Sequence, residues 1–244
     1  DIPAEGNPME VFMKKNRFFT SGNIAFLAVL VALIIVLQSL GTLIGNLGGT
    51  APSLVLIPIV LGAVMMGPVA GALLGFIFGI VVIVCGVTGF DWFTYLLFTQ
   101  APVWTILLCL VKGTAAGFAA GWLYRLIAKK NRYAAVITAS LAAPIVNTGI
   151  FVAGTFLLQD AMYAVMGEMG FAGEALVYFV FIRLCANFIF EFIINAVASP
   201  IIYRVIEIVK RSRRGGAEET DELPETAEAA ETPKDVRAEE KAGR

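Results

Sequence analysis

Residues 177–207 read VYFVFIRLCANFIFEFIINAVASPIIYRVIE, the last apolar run before the chain turns polar. Within it Arg183, Asn187, Glu191 and Asn195 follow one another at intervals of four. On an α-helix that interval sets all four on one slowly drifting face. The remaining positions are Phe, Ile, Val, Leu, Ala and Tyr. A helix that is apolar on most sides and carries one polar line belongs in a bilayer, with the line turned from lipid. A charge at bilayer depth costs about 2.5–3.5 kcal/mol on insertion scales, and such residues mark solute paths or sites. The other reading is structural: Arg183 and Glu191 partly neutralised within the fold, and the asparagines joining helices.

Composition extends this to the whole chain. Of 244 residues, 58% are hydrophobic and 15% charged, and the mean hydropathy is +0.81. Soluble domains carry more charge, so the class is an all-α, integral membrane protein. Ten of the 19 acids fall between Glu218 and Glu240. Residues 1–216 hold 14 Lys/Arg against 9 Asp/Glu, a net +5. The chain has no histidine, which removes His-based catalysis and His metal ligation. Cys85, Cys109 and Cys185 are scattered through apolar runs with no CxxC. They read as small core residues, neither a disulfide framework nor a metal site.

The apolar runs predict six transmembrane helices at about 22–44, 53–66, 68–87, 102–127, 134–158 and 176–207. The second is short, since a crossing takes about 17–25 residues. It is either a tilted span or half of a re-entrant hairpin. Pro68 after Gly67 suits a helix start. Lys14, Lys15 and Arg17, then Arg125, Lys129, Lys130 and Arg132, then Lys210, Arg211, Arg213 and Arg214 flank the spans. The positive-inside rule makes these flanks, and both termini, cytoplasmic. Asp91, Asp160, Glu168 and Glu174 fall on the outer side. Aromatic belts are expected there at Phe90, Trp92, Phe93, Tyr95 and Trp104, and on the inner side at Trp122, Tyr124 and Tyr203. The expected domains are a cytoplasmic segment 1–21, a membrane domain 22–209, and a basic then acidic disordered tail 210–244. Residues 1–8 precede Met9, read as an expression-tag remnant and are set aside. Residues 215–244, rich in Glu, Ala, Thr and Pro, cannot bury a core.

Two ladders of small residues stand out: Gly67, Gly71, Gly75 and Gly79, and Gly113, Gly117 and Gly121 with Ala116 and Ala120. Where lipid gives no hydrophobic drive, such ladders let helix backbones approach closely. Ala28 and Ala32, with Ala25 nearby, form a smaller face on the first helix. It serves either internal packing or a second protein.

The candidate binding residues lie deeper. Lys112 is ten residues into its helix, about 15 Å from the outer end. Arg183 is about 11 Å into the last helix by the same rise. Asn147 and Thr148 follow Pro144, and Gln38 and Ser39 close the first helix. Two cations against one carboxylate, Glu191, leave surplus positive charge. That predicts a solute carboxylate or phosphate meeting Lys112 or Arg183. The alternative is a Lys112–Glu191 pair with Arg183 at the outer interface. The connection 41–52, GTLIGNLGGTAP, is uncharged and rich in Gly. It suits a lid, formed by Asn46, Leu47 and Gly48, or a plain connector. There is no GxxxxGK[ST], GxSxG or HExxH, and no carboxylate pair at catalytic spacing. The chain is therefore expected to be no enzyme, with no catalytic residues, no metal and no nucleic-acid partner.

Three segments carry a resemblance: SLVLIPIVLGAVMMGPVAGALLGFIFGI (53–80), LVKGTAAGFAAGWLYRLI (110–127) and APIVNTGIFVAGTFLL (143–158). With the basic N-terminus and the small-residue face of helix one, they resemble the substrate-binding S components of energy-coupling factor (ECF) transporters over about residues 10–210. The resemblance implies a high-affinity capture subunit for a water-soluble vitamin or its precursor. It implies docking on a transmembrane coupling subunit that carries two ATP-binding cassette ATPases, with no cofactor of its own because ATP is hydrolysed by those partners. The family's Ala-x-x-x-Ala docking face matches Ala28 and Ala32. Its outer pocket matches Lys112, Asn147, Arg183 and Asn187, under the 41–52 loop. Glu191 lies deeper, as a structural residue. The chain lacks the His-bearing aromatic pocket of thiamine binders and the acidic segment of riboflavin binders. A cationic pocket suits pantothenate first, then a folate-like carboxylate or a phosphorylated precursor. The implied location is the prokaryotic cell membrane. The rival function is a stand-alone, proton-coupled secondary transporter using Glu191.

Overall fold

A computed structural model of the chain describes residues 21–46, 54–181 and 185–221. The expected N-terminal segment, most of the tail, Leu47, Gly48 and Arg183 lie outside the described residues. Every regular element among the described residues is a helix: α1 (Ser21–Asn46), α2 (Leu56–Met66), α3 (Pro68–Val87), α4 (Trp92–Gln100), α5 (Pro102–Ile127), α6 (Arg132–Leu157), α7 (Gln159–Glu168), α8 (Leu176–Phe179) and α9 (Cys185–Asp221). Five of them, α1, α3, α5, α6 and α9 as far as Val209, are long and apolar enough to cross a membrane. The sixth expected segment is α2. Its 11 residues rise about 16 Å, half a hydrocarbon layer, and Leu56, Ile59, Val60 and Ala63 are fully buried.

Proline at the first position starts α3 and α5, where a missing N–H costs nothing. Asn131 starts α6 by accepting a hydrogen bond from the Ala134 amide at 3.1 Å. Between α2 and α3 the chain reverses through Gly67 at φ 105, a left-handed conformation that L side chains rarely adopt. A Cβ there would also strike the Arg125 guanidinium. The α2–α3 turn therefore lies at the basic end of α5.

The two ladders mesh with each other. Gly71 faces the backbone of Gly117, Gly75 that of Gly113, and Gly79 that of Cys109 and Leu110, in antiparallel order. A methyl group on Gly79 would fall 2.7 Å from the Cys109 carbonyl oxygen. Dispersion between touching backbones replaces the hydrophobic drive that lipid does not provide. On α6, Gly154 receives the Leu108 side chain of α5. Further along, Tyr133 meets Tyr203 of α9 edge to face at 5.3 Å.

The end opposite the Arg125–Arg132 loop departs from the expected belt-and-loop picture. The aromatic segment after Asp91 folds as α4, and residues 159–168 fold as α7. Leu96, Leu97, Met162, Val165, Met166, Leu176, Phe179 and Val180 close a second apolar core there. The last expected span is described in two parts. α8 passes into a wider, π-type turn at Val180–Phe181, and α9 is described from Cys185. Pro200 lies within α9, which continues past Val209 to Asp221. The described residues up to Arg204 form one compact unit, and the end of α9 from Val205 belongs to a second.

Candidate functional site

A cavity of about 500 Å³ lies within the first unit, at the end opposite the basic loop. Its walls come from the last three turns of α1, the end of α3, α4, the first half of α5, the second half of α6, α8 and the first turns of α9. Phe78, Val82, Trp92, Phe93, Leu97, Phe151 and Phe179 make it largely apolar. The polar groups are few: Gln38, Thr42, Asn46, Asp91, Thr94, Lys112, Asn147, Thr148, Asn187 and Glu191. Few polar groups in an apolar concavity is the usual form of a small-molecule site.

Lys112, Asn147, Asn187 and Asn46, all singled out from the sequence, line this one cavity. Lys112 is half-buried, with Nζ 4.7 Å from the centre of the Phe151 ring. Phe151 is held in turn by the edge of Phe93, 6.0 Å away between centroids. The ring face attracts the ammonium but leaves its charge uncompensated. The expected alternative, a direct Lys112–Glu191 pair, is absent: no nitrogen–oxygen contact within 4.0 Å joins them. Asn147 is 6% exposed, and its Oδ1 accepts no hydrogen bond.

The four-residue line holds on α9 from Asn187 to Asn195. Asn187 Nδ2 donates to Glu191 Oε1 at 3.0 Å, and Asn195 Nδ2 donates to the Glu191 carbonyl at 2.8 Å. Glu191 is 3% exposed, yet its Oε2 has no hydrogen-bond partner. The Lys112 ammonium and the side chains of Asn187 and Thr148 lie close enough to act on its carboxylate. Glu191, expected deeper than the pocket, is part of the wall.

Asp91 was expected in an outer loop. It lines the cavity and caps α4, accepting from the Thr94 amide at 3.2 Å and the Thr94 hydroxyl at 2.8 Å. The sequence set two cations, Lys112 and Arg183, against Glu191; Arg183 lies outside the described residues, and Asp91 adds a carboxylate to the wall. Among the described lining residues, one ammonium faces two carboxylates. The signal for α4 was available, since Asp91 three residues before Thr94 is a helix-start pattern. The aromatic run that follows is equally characteristic of an interfacial belt. Nothing in the sequence pointed to Met169 or Phe179 as wall residues.

Asn46 closes α1 at the rim. Its Nδ2 donates to the Phe90 carbonyl, joining α1 to the turn before α4. Thr42 is buried beneath it and accepts from Gln38 Nε2 at 3.2 Å. Residues 41–46, read from the sequence as the start of a connector, are the last turn and a half of α1. On α1 nearer the basic side, Ala25, Ala28 and Ala32 are all exposed. No group of three His, Cys, Asp or Glu able to hold a metal occurs among the described residues.

A family model described as the substrate-specific component of ECF transporters matches residues 23–203. The chain belongs to this family. The match runs from the start of α1 into α9 and so includes every wall of the cavity. Comparison with curated proteins and with solved structures gives no match. This S component is therefore the substrate-binding subunit of an ECF importer, a multi-pass membrane protein that works with a coupling subunit and ATPases. Its role is to bind and present a small molecule, not to transform it.

Proposed function

We propose that this S component captures a water-soluble vitamin or vitamin precursor bearing a carboxylate or phosphate, with pantothenate as one candidate. The observation that supports this is Lys112: an ammonium about 15 Å from the end of its helix, in the wall of a 500 Å³ cavity, with no carboxylate within 4.0 Å. An uncompensated charge at that depth is costly, and an anionic solute would offset the cost. Asn147 and Asn187 would hydrogen-bond the solute's polar groups, and Arg183 would add a second cation. Asn46, with Leu47 and Gly48, would form the lid.

The basic Arg125–Arg132 loop faces the cytoplasm on the positive-inside rule, which turns the cavity outward. The exposed Ala28–Ala32 face of α1 would dock on the coupling subunit, which carries two ATP-binding cassette ATPases. Those partners would hydrolyse ATP, and this chain would need no cofactor. The domain limits proposed are a cytoplasmic segment 1–21, a membrane domain 22–209 and a solvated tail 210–244, in a prokaryotic cell membrane.

Binding and transport separate this from the rival. Purified S component in nanodiscs should retain a vitamin-like anion, and Lys112→Ala should abolish retention. Uptake by vesicles should require the coupling subunit and ATP. Uptake by the chain alone, abolished by Glu191→Gln, would replace the proposal with proton-coupled secondary transport.

A further inference from the structure

Among the described residues, two charged groups in the cavity wall remain unspent. Asp91 is not one of them, because Thr94 engages both of its oxygens. Lys112 rests on an aromatic face and has no carboxylate within 4.0 Å. Glu191 gives one oxygen to Asn187, while Oε2 stays buried and unpartnered. These residues come from α5 and α9, so the opposite charges sit on different walls of one chamber. No nitrogen–oxygen contact within 4.0 Å joins them.

An anion alone would satisfy Lys112 and worsen the surroundings of Glu191. A cation alone would do the reverse. A solute with one acidic group and one basic nitrogen satisfies both walls at once and adds no net charge to the membrane interior. We infer that the solute is zwitterionic, its ammonium meeting Glu191 Oε2 while its carboxylate or phosphate meets Lys112. The inference rests on the reading of this cavity as the solute site, and it narrows the substrate class within that reading. Pantothenate, which has no basic nitrogen, falls outside it. The ring-lined remainder of the wall, Phe78, Trp92, Phe93, Phe151 and Phe179, suits an apolar or aromatic body between the two charged ends.

Glu191 is able to carry a proton in place of meeting a cation. A protonated carboxyl and a glutamine amide donate alike, so Glu191→Gln separates the two cases. An ammonium loses its counter-charge in that variant, whereas a neutral solute group does not.

The test uses the full chain in lipid nanodiscs, incubated with a low-molecular-weight metabolite extract, desalted, and analysed by mass spectrometry of released compounds. The enriched compound should carry both an acidic group and a basic nitrogen. Glu191→Gln and Lys112→Met should each lower its retention roughly 30-fold or more, the scale of leaving one buried charge unpaired. N-acetylation of the enriched compound should cause a similar loss on the unmutated protein, which keeps the test independent of how the variants fold. Enrichment of an acid without a basic nitrogen would overturn the zwitterion and leave the anion-capture reading standing. Undiminished retention by Glu191→Gln, or of the N-acetylated compound, would also overturn it. Enrichment of nothing would overturn both.

Discussion

Lys112 of α5 and Glu191 of α9 face the same cavity and do not touch. Each is held by a neighbour that leaves its charge uncompensated: Lys112 by the Phe151 ring, Glu191 by the Asn187 amide. A fold shaped for stability alone would close that gap or fill it with apolar side chains, since buried charge separation rarely stabilises. Placing both groups, unpaired, in the wall of one chamber is the arrangement expected of a binding subunit, where the third partner arrives with the solute.

Lys112 thus opposes stability in the empty protein, and its removal has opposite effects on folding and binding. Lys112→Met removes the ammonium that lies over the Phe151 ring and leaves an unbranched apolar side chain one atom shorter. The empty variant should melt at the same temperature as the parent or a few degrees higher. Solute affinity should fall roughly 30-fold or more. Thermal unfolding with and without the retained solute reads both, and a lower melting point in the empty variant would mean that Lys112 has a partner that stabilises the fold.

The glycine ladder makes a sharper prediction about packing. A methyl group on Gly75 would collide with the Gly113 backbone, which cannot move aside as a flexible side chain can. Gly75→Ala should therefore destabilise by about 1–3 kcal/mol despite the higher helix propensity of alanine. Gly149 of α6 has nothing within 4 Å of an added methyl group. Gly149→Ala should be neutral or stabilising by up to about 1 kcal/mol. Unfolding in mixed detergent micelles gives both values, and equal effects at the two sites would mean that α3 and α5 are not in backbone contact.

These predictions differ in how far the sequence alone supports them. The long helices and the meshing of α3 with α5 follow from apolar length and a four-residue period, two signals that survive without tertiary context. α3 and α5 begin and end where proline and the apolar run set them. The inward line of Asn187, Glu191 and Asn195 was legible for the same reason. What the sequence hid is the end of the bundle that carries the cavity. α4 and α7 are short and sit where interfacial aromatic residues are also expected, so composition does not separate a helix from a belt. The placement of Asp91 in the cavity wall depends on α4 folding back, a long-range event with no local period. The charge balance of the site turned on that one residue.

Asn46 ties the end of α1 to the turn before α4 by donating to the Phe90 carbonyl at the cavity rim. If that tie holds the rim over bound solute, cutting it should act on escape more than on capture. Asn46→Ala removes one hydrogen bond, worth about 0.5–1.5 kcal/mol. Solute dissociation should quicken about two- to tenfold, with association little changed. Stopped-flow or surface-capture kinetics measures this directly, and an unchanged dissociation rate would leave Asn46 as a structural tie only.

Ala28 and Ala32 lie one turn apart on α1, both exposed, on a helix whose buried residues are Leu30, Ile34 and Thr42. Small residues one turn apart and facing outward let another helix approach closely, the geometry that substitutes for hydrophobic drive in lipid. A bulky side chain at these exposed positions would hold an incoming helix away. Ala28→Trp and Ala32→Trp should therefore leave the melting temperature and solute retention near those of the parent. Both variants should lose assembly with the coupling subunit, read by co-purification from cells that express all the transporter subunits. Val29 and Leu33 are also exposed on α1, each next in sequence to one of these alanines. Val29→Ala and Leu33→Ala should assemble normally, which confines the effect to the small-residue face. Intact assembly of both tryptophan variants would move the docking surface off α1.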